Sequence, residues 1–221
     1  MNFLEDCNVV IDKFDDFTFQ FIKQEIKSFQ QSIEQVEMEK SHDQVYAFQQ
    51  RLVGELQYFL LPKTEHLIKR KVLEMIGAHE KKFKLFNRVF NDMANLGPEP
   101  IFEFERIWVN AQRAGEFIPL HQHSGIYSFA FWVQIPFSIK DQNDNFFNQI
   151  LVKDRTAMFE FTYPTSTGHI CQKRLPVDRS WEGKIAVFPA GLLHQVYPFY
   201  GTDELRISIS GNIRLANENF K

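Results

Sequence analysis

Two histidines stand one residue apart in FIPLHQHSG, residues 117–125, directly after an apolar run. Neutral imidazole is the commonest protein ligand for a transition metal. Side chains alternate along a strand, so His121 and His123 would share one face there. A first-row metal needs ligands arriving from several directions. The other histidine in this half that can supply one is His194, in FPAGLLHQVYPF. One loop and one strand later comes Arg206, in LRISISGN. An arginine in such an alternating run needs an anion to justify pointing inward. Its planar fork matches a carboxylate bidentately. Ser208, two residues on, falls on the same face and can add a hydroxyl. At this level the bland readings stay open: two solvent-facing loop histidines, a satisfied core histidine at 194 and a structural arginine at 206. His169 is expected at the surface. His42, His66 and His79 are expected as surface or capping residues without chemistry.

These residues need a scaffold, and the chain divides into two halves with different periods. Before residue 100 the apolar positions recur every three to four residues, as in amphipathic helices. Helices are predicted over 17–40 and over 42–61, the second stopped by Pro62. A third is predicted from a cap at Thr64 to Gly97-Pro98. After Pro100 the pattern becomes short β-rich runs: IFEFERIWV, IYSFAFWVQI, TAMFEFTY, GKIAVFPA, LLHQVYPF and LRISISGNI. Runs of this kind, bounded by Gly, Pro, Asn and Asp, predict a double-sheet barrel or jelly roll. The fold expected is α+β: a barrel over 101–221 with the helical region 1–100 packed on one of its sheets. Alternation in SFAFWVQIP puts Ser128, Ala130, Trp132 and Gln134 on one face. Asn110 is left open between facing the barrel mouth and a turn or edge role. The polar stretch 138–149 reads as a long mobile loop.

Composition narrows the function classes. The chain has 221 residues, 44% of them hydrophobic, including 24 phenylalanines, which marks a globular chain with a sizeable core. A net charge of -3 gives no general attraction to nucleic acid or an anionic membrane. No apolar run approaches the ~20 residues that span a bilayer. The acidic start MNFLED lacks the positive region of a signal peptide. Two distant cysteines, Cys7 and Cys171, suggest reduced thiols and a cytoplasmic location.

The ordered set of a glycine (Gly115), H-x-H, a distal histidine and R-x-S resembles the iron(II)- and 2-oxoglutarate-dependent oxygenases. It is most similar to the prolyl-hydroxylase-related branch, which includes a group of oxygenases frequent in phages. The matching segments are WVNAQRAGEFIPLHQHSG, SFAFWVQIP and GKIAVFPAGLLHQVYPFYGTDELRISISGN. The resemblance implies a double-stranded β-helix with iron(II) as cofactor and 2-oxoglutarate and oxygen as co-substrates. It implies His121, His123 and His194 as metal ligands. It also implies that Arg206 and Ser208 bind the far carboxylate of 2-oxoglutarate and that Trp132 walls the pocket. The family usually has Asp or Glu where this chain has His123, so the metal would see three neutral imidazoles. The implied activity is that of a dioxygenase hydroxylating a substrate the sequence does not name. The alternatives are a three-histidine, cupin-type metalloprotein that does not use 2-oxoglutarate, and a non-catalytic binding module on the same barrel.

Overall fold

The computed structural model describes residues 1–39, 56–58, 61–85, 101–144 and 155–216. Eleven strands in two antiparallel sheets dominate these residues. In chain order they are β1 (Asn2–Leu4), β2 (Val9–Lys13), β3 (Leu56–Tyr58), β4 (Phe102–Gln112), β5 (Ile118–His121) and β6 (Tyr127–Gln134), then β7 (Phe159–Pro164), β8 (Ile170–Leu175), β9 (Lys184–Pro189), β10 (Leu193–Val196) and β11 (Arg206–Leu215). The larger sheet runs β1-β2-β9-β6-β11-β4-β3, and the smaller runs β5-β10-β7-β8. This is the double-stranded β-helix class, with helices α1 (Asp16–Glu39) and α2 (Glu65–Phe83) on the outer face of the larger sheet.

The apolar pattern explains the layers. The strand β6, YSFAFWVQ, is buried through Val133 on both faces, so it reads as a nearly continuous apolar run. Phe129, Phe131 and Val133 pack with Ile22 and Ile26 of α1 and with Ile68, Val72 and Met75 of α2. Ala130 and Trp132 point the other way, into a second cluster with Phe159, Phe161 and Phe188. Each fully buried Ile or Phe contributes about 1.5–3 kcal/mol of transfer free energy. The helix stripes therefore close the back of the sheet, while the small side chains of β6 leave room between the sheets.

Several elements differ from the sequence expectation. Residues 1–13 form an antiparallel hairpin, with Phe3 opposite Val10, and β2 extends the larger sheet through Ile11 opposite Ala186. These strands are too short for an apolar period to show. Of the helix predicted over 42–61, only 56–58 and 61 are described. Residues 56–58 are strand β3, with Tyr58 opposite Val109; the rest of that prediction lies outside the described residues. The third predicted helix is interrupted after Phe83, and the part of that prediction from residue 86 to Gly97 lies outside the described residues. Lys84 turns left-handed at φ 52°, and its N–H donates to Glu80 O at 3.0 Å. Thr64 precedes α2 without a side-chain cap bond, and its hydroxyl donates to Glu25. The stretch expected as a loop opens with a short helix, α3 (Ile139–Asn143), started by a reciprocal Ser138–Asp141 capping box, and its residues 145–149 lie outside the described residues. No helix among the described residues is long and apolar enough to cross a membrane.

Candidate metal centre

The HQH segment is placed by backbone bonds at both ends. His121 closes β5 and is paired in register with His194 of β10. The His123 N–H donates to Ala190 O at 2.9 Å, and the Ala190 N–H donates to Ile126 O at 2.9 Å. These bonds tie the segment to the turn that leads into His194. Gly125, at φ 92°, lies in the bend that carries the chain from the HQH segment into β6. A Cβ there would lie 2.5 Å from Ile213 O, so no other residue fits without backbone movement.

One ring nitrogen from each of His121, His123 and His194 lies within 4.8 Å of the others. A point between three such atoms is about 2.8 Å or less from each, so small ring rotations reach the ~2.1 Å of a metal–imidazole bond. The tautomers suit that use. His121 Nδ1 lies 2.7 Å from Pro119 O and His194 Nδ1 lies 2.9 Å from Leu192 O. Each Nδ1–H donates to its carbonyl, which leaves Nε2 as the lone-pair nitrogen. His194 is 4% exposed, stacked on Phe159 at 5.7 Å and edge-on to Phe188 at 5.0 Å.

Burial, reinforced by the charge of His121 and, more weakly, of His123, pushes the His194 imidazole down to about 3. Burial and His121 push His123 down to about 4. His121 is lowered as well, mainly by burial and against the pull of its bond to Pro119. All three rings are therefore neutral near neutral pH, the protonation state that can ligate. Among the described residues these three form the one cluster of His, Cys, Asp or Glu able to hold a metal ion.

The triad opens into a cavity of about 340 Å³ between the sheets. Its floor is a ladder of facing residues on β4 and β11: Gln112 opposite Arg206, Asn110 opposite Ser208, and Trp108 opposite Ser210. On the other side of β11, Trp132 stands opposite Ser208 and Ala130 opposite Ser210. Trp108 lies 5.6 Å from His123, ring to ring, which sets the triad over the Trp108–Ser210 rung. Arg206 is two rungs away, about 13 Å along the strand at ~3.3 Å per residue. A five-carbon dicarboxylate and an extended arginine side chain together cover a distance of that order. None of the described residues lining the cavity is Asp or Glu.

Arg206 is 4% exposed. Its Nε donates to Gln112 Oε1 at 3.1 Å and its Nη2 to Tyr197 O at 3.0 Å, with the guanidinium over the Phe199 ring at 4.9 Å. Ser208 Oγ accepts from Asn110 Nδ2 at 3.3 Å. Trp132, 3% exposed, lines the cavity and also packs edge-on against Phe159 and Trp181. All six candidate residues thus border one cavity. Sequence reasoning left Asn110 open; it is buried in the floor and also accepts from Trp108 Nε1 at 2.8 Å. Gln112 and Trp108 were missed, although alternation along 102–112 already put them on the face of Asn110. His169 is exposed, as expected. His79 is fully buried, contrary to expectation. Its Nε2 contacts Asn8 O at 2.8 Å and its Nδ1 the Tyr127 hydroxyl at 3.1 Å, far from any surface role.

Residues 106–212 match the family model described as "Putative 2OG-Fe(II) oxygenase". No curated protein matches the sequence. Among solved structures, the chain is similar to a prolyl-4-hydroxylase from Pseudomonas putida, at 11% identity and a TM-score of 0.52, over 96% of this chain and 94% of that one. It is similar to a prolyl hydroxylase from Trichoplax adhaerens in complex with a hypoxia inducible factor peptide, at 11% identity and 0.55, over 97% and 86%. It is also similar to HygX from Streptomyces hygroscopicus with nickel and 2-oxoglutarate bound, at 11% identity and 0.50, over 95% and 84%. At such identities the likeness is one of fold. The match to the 2OG-Fe(II) oxygenase family thus rests on residues 106–212, the barrel strands that carry the triad and Arg206.

Proposed function

We propose that His121, His123 and His194 hold iron(II), that Arg206 and Ser208 bind the far carboxylate of 2-oxoglutarate, and that the enzyme hydroxylates a small molecule or side chain admitted past the metal. The observation that carries this is the pairing of two features in one cavity: three neutral imidazoles converging at one end and a buried guanidinium at the other. A cupin-type site working without 2-oxoglutarate has no need for that guanidinium.

Iron(II) held there would supply oxygen activation, driven by conversion of 2-oxoglutarate and oxygen to succinate and carbon dioxide. The chain's own groups do the positioning. Carbonyls 119 and 192 hold two imidazoles in the ligating tautomer. Phe159, Phe188 and Trp132 keep the cavity apolar on one wall and limit water. With three neutral ligands the metal keeps its full positive charge, which favours a dianionic co-substrate.

Residues 101–221 carry the oxygenase barrel in this reading; from 1–100, α1 and α2 cover the back of the larger sheet and β1, β2 and β3 extend it. The cytoplasm is the proposed location, supported by two free thiols at Cys7 and Cys171. The test is succinate formation from 2-oxoglutarate by purified protein with and without iron(II). Turnover that needs the metal and disappears in His121→Ala supports the proposal. No succinate at any iron concentration overturns it.

A further inference from the structure

We infer that the Gln112 carboxamide is a second, direct ligand of the co-substrate's far carboxylate. An amide and a guanidinium, held together, would then read the diacid in place of Arg206 alone. The inference rests on the reading of this cavity as a 2-oxoglutarate site.

Gln112 ends β4 in register with Arg206, is 2% exposed and lines the cavity. Its Oε1 accepts from Arg206 Nε at 3.1 Å. That bond fixes the orientation of the amide, since a flip would set an NH2 donor against an N–H donor. Nε2 is therefore the other end. It is buried and has no hydrogen-bond partner among the described residues, a property shared only with Thr162 Oγ1. Native interiors hold few such donors, because each gives up its bonds to water without replacement. This one sits beside a guanidinium in a cavity with no Asp or Glu among its described lining residues.

A carboxylate only accepts hydrogen bonds, so one lying against Arg206 meets the unpartnered donor with a lone pair. Ser208 adds a hydroxyl one rung further in. A terminus ending in an amide would instead bring its own NH2 donors to Arg206 and Gln112. A 2-oxo acid with no far polar group would leave both unanswered. Gln112 thus selects for a carboxylate at that end.

The test uses the full chain with zinc(II) as a diamagnetic stand-in, and reads the side-chain amide protons of Gln112 by NMR. 2-Oxoglutarate should move them downfield. Pyruvate, which presents the same 2-oxo acid end to the metal but has no far carboxylate, should not. By calorimetry, Gln112→Leu should weaken 2-oxoglutarate roughly tenfold to a hundredfold, the worth of one hydrogen bond to a charged group. Pyruvate affinity should stay within twofold. The spectrum of the unaltered protein carries the test even if Gln112→Leu fails to fold. A Gln112 amide that does not move when 2-oxoglutarate binds overturns the inference and leaves Arg206 standing. So does a Gln112→Leu affinity within twofold of the unaltered protein. Absence of any metal-dependent binding of 2-oxoglutarate overturns both this inference and the proposed function.

Discussion

His121 and His194 are direct register partners across β5 and β10, and their imidazoles lie 4.2 Å apart, centroid to centroid. Adjacent strands put two ligands side by side at a spacing set by the sheet itself. The third ring, His123, lies beyond the end of β5. It depends on its backbone bond to Ala190 and on the bend at Gly125. The first two rings are fixed by the fold, whereas the third is fixed by one loop.

That difference makes His123 the residue to examine. His121→Ala and His194→Ala should each cost on the order of 100-fold or more in iron or manganese affinity, above the loss typical of a partner outside the ligand set. If His123 ligates, His123→Ala should cost as much. His123→Asp should keep the metal by recreating a two-histidine, one-carboxylate site. Calorimetry on the three alanine variants decides it: full affinity in His123→Ala alone would show that His123 is no ligand.

The depressed histidines carry a pH dependence of known sign. In the unfolded chain their imidazoles titrate near ~6.5. In the folded, metal-free protein His194 is held to about 3 and His123 to about 4, chiefly by burial. Between those values the unfolded chain binds more protons, so it gains stability as pH falls. The stability of the metal-free fold should therefore be full above about pH 6.5 and decline toward pH 4. His123→Asn should flatten that decline, read as urea midpoints at successive pH values. An unchanged slope in the variant would mean that His123 is not held neutral.

The far end of the cavity gives a separate expectation. Arg206→Ala should abolish or greatly weaken 2-oxoglutarate binding while leaving metal affinity intact. Arg206→Lys keeps the charge but loses the planar fork, so it should fall between the two. Metal-loaded calorimetry reads all three. Wild-type 2-oxoglutarate affinity in Arg206→Ala would remove Arg206 from the co-substrate site.

What could be read from the sequence follows from period and length. Six barrel strands, β4, β6, β7, β9, β10 and β11, were legible because half-buried strands alternate and their ends carry Gly, Pro or Asn; β5 and β8 fell outside the runs read as strands. Alternation put only His121 and His123 on one face; their convergence with His194 and Arg206 was implied by the resemblance to the oxygenase family, through the order of these residues along the chain. Strands β1, β2 and β3 were not legible, since three to five residues are too few to separate a strand from a helix turn. Gln112 was missed because a lone glutamine carries no signal until Arg206 is seen opposite it. His79 was misplaced because a histidine on a helix is ordinarily solvated, and only the packed sheet shows what it meets.

His79 is a clamp between layers. Its ring joins the Asn8 carbonyl to the Tyr127 hydroxyl, and that hydroxyl also donates to Glu80 of α2. Tyr127→Phe takes the hydroxyl away from the buried His79 imidazole, at a cost of about 1–3 kcal/mol. Thermal unfolding should show the loss, whereas metal affinity should not change. A variant as stable as the parent would mean that the cluster is incidental.

The last expectation concerns the helical half. Phe129, Phe131, Val133, Ile185, Val187 and Ile209 all pack in the cluster that α1 and α2 complete. A chain cut to 101–221 would expose that face as one apolar patch, far larger than a soluble monomer usually shows. The cut also removes β2 from the flank of β9 and β3 from the flank of β4, so both outer strands of the larger sheet lose their pairing. Unpaired edges beside an apolar face favour association between chains. Residues 101–221 alone should therefore be insoluble, or compact without cooperative melting and able to bind a hydrophobic dye. The triad itself lies wholly within that fragment, so metal binding provides the contrary signal. A soluble monomer of 101–221 that melts cooperatively and binds iron or manganese would show that 1–100 is a separable domain and that the barrel closes its own back.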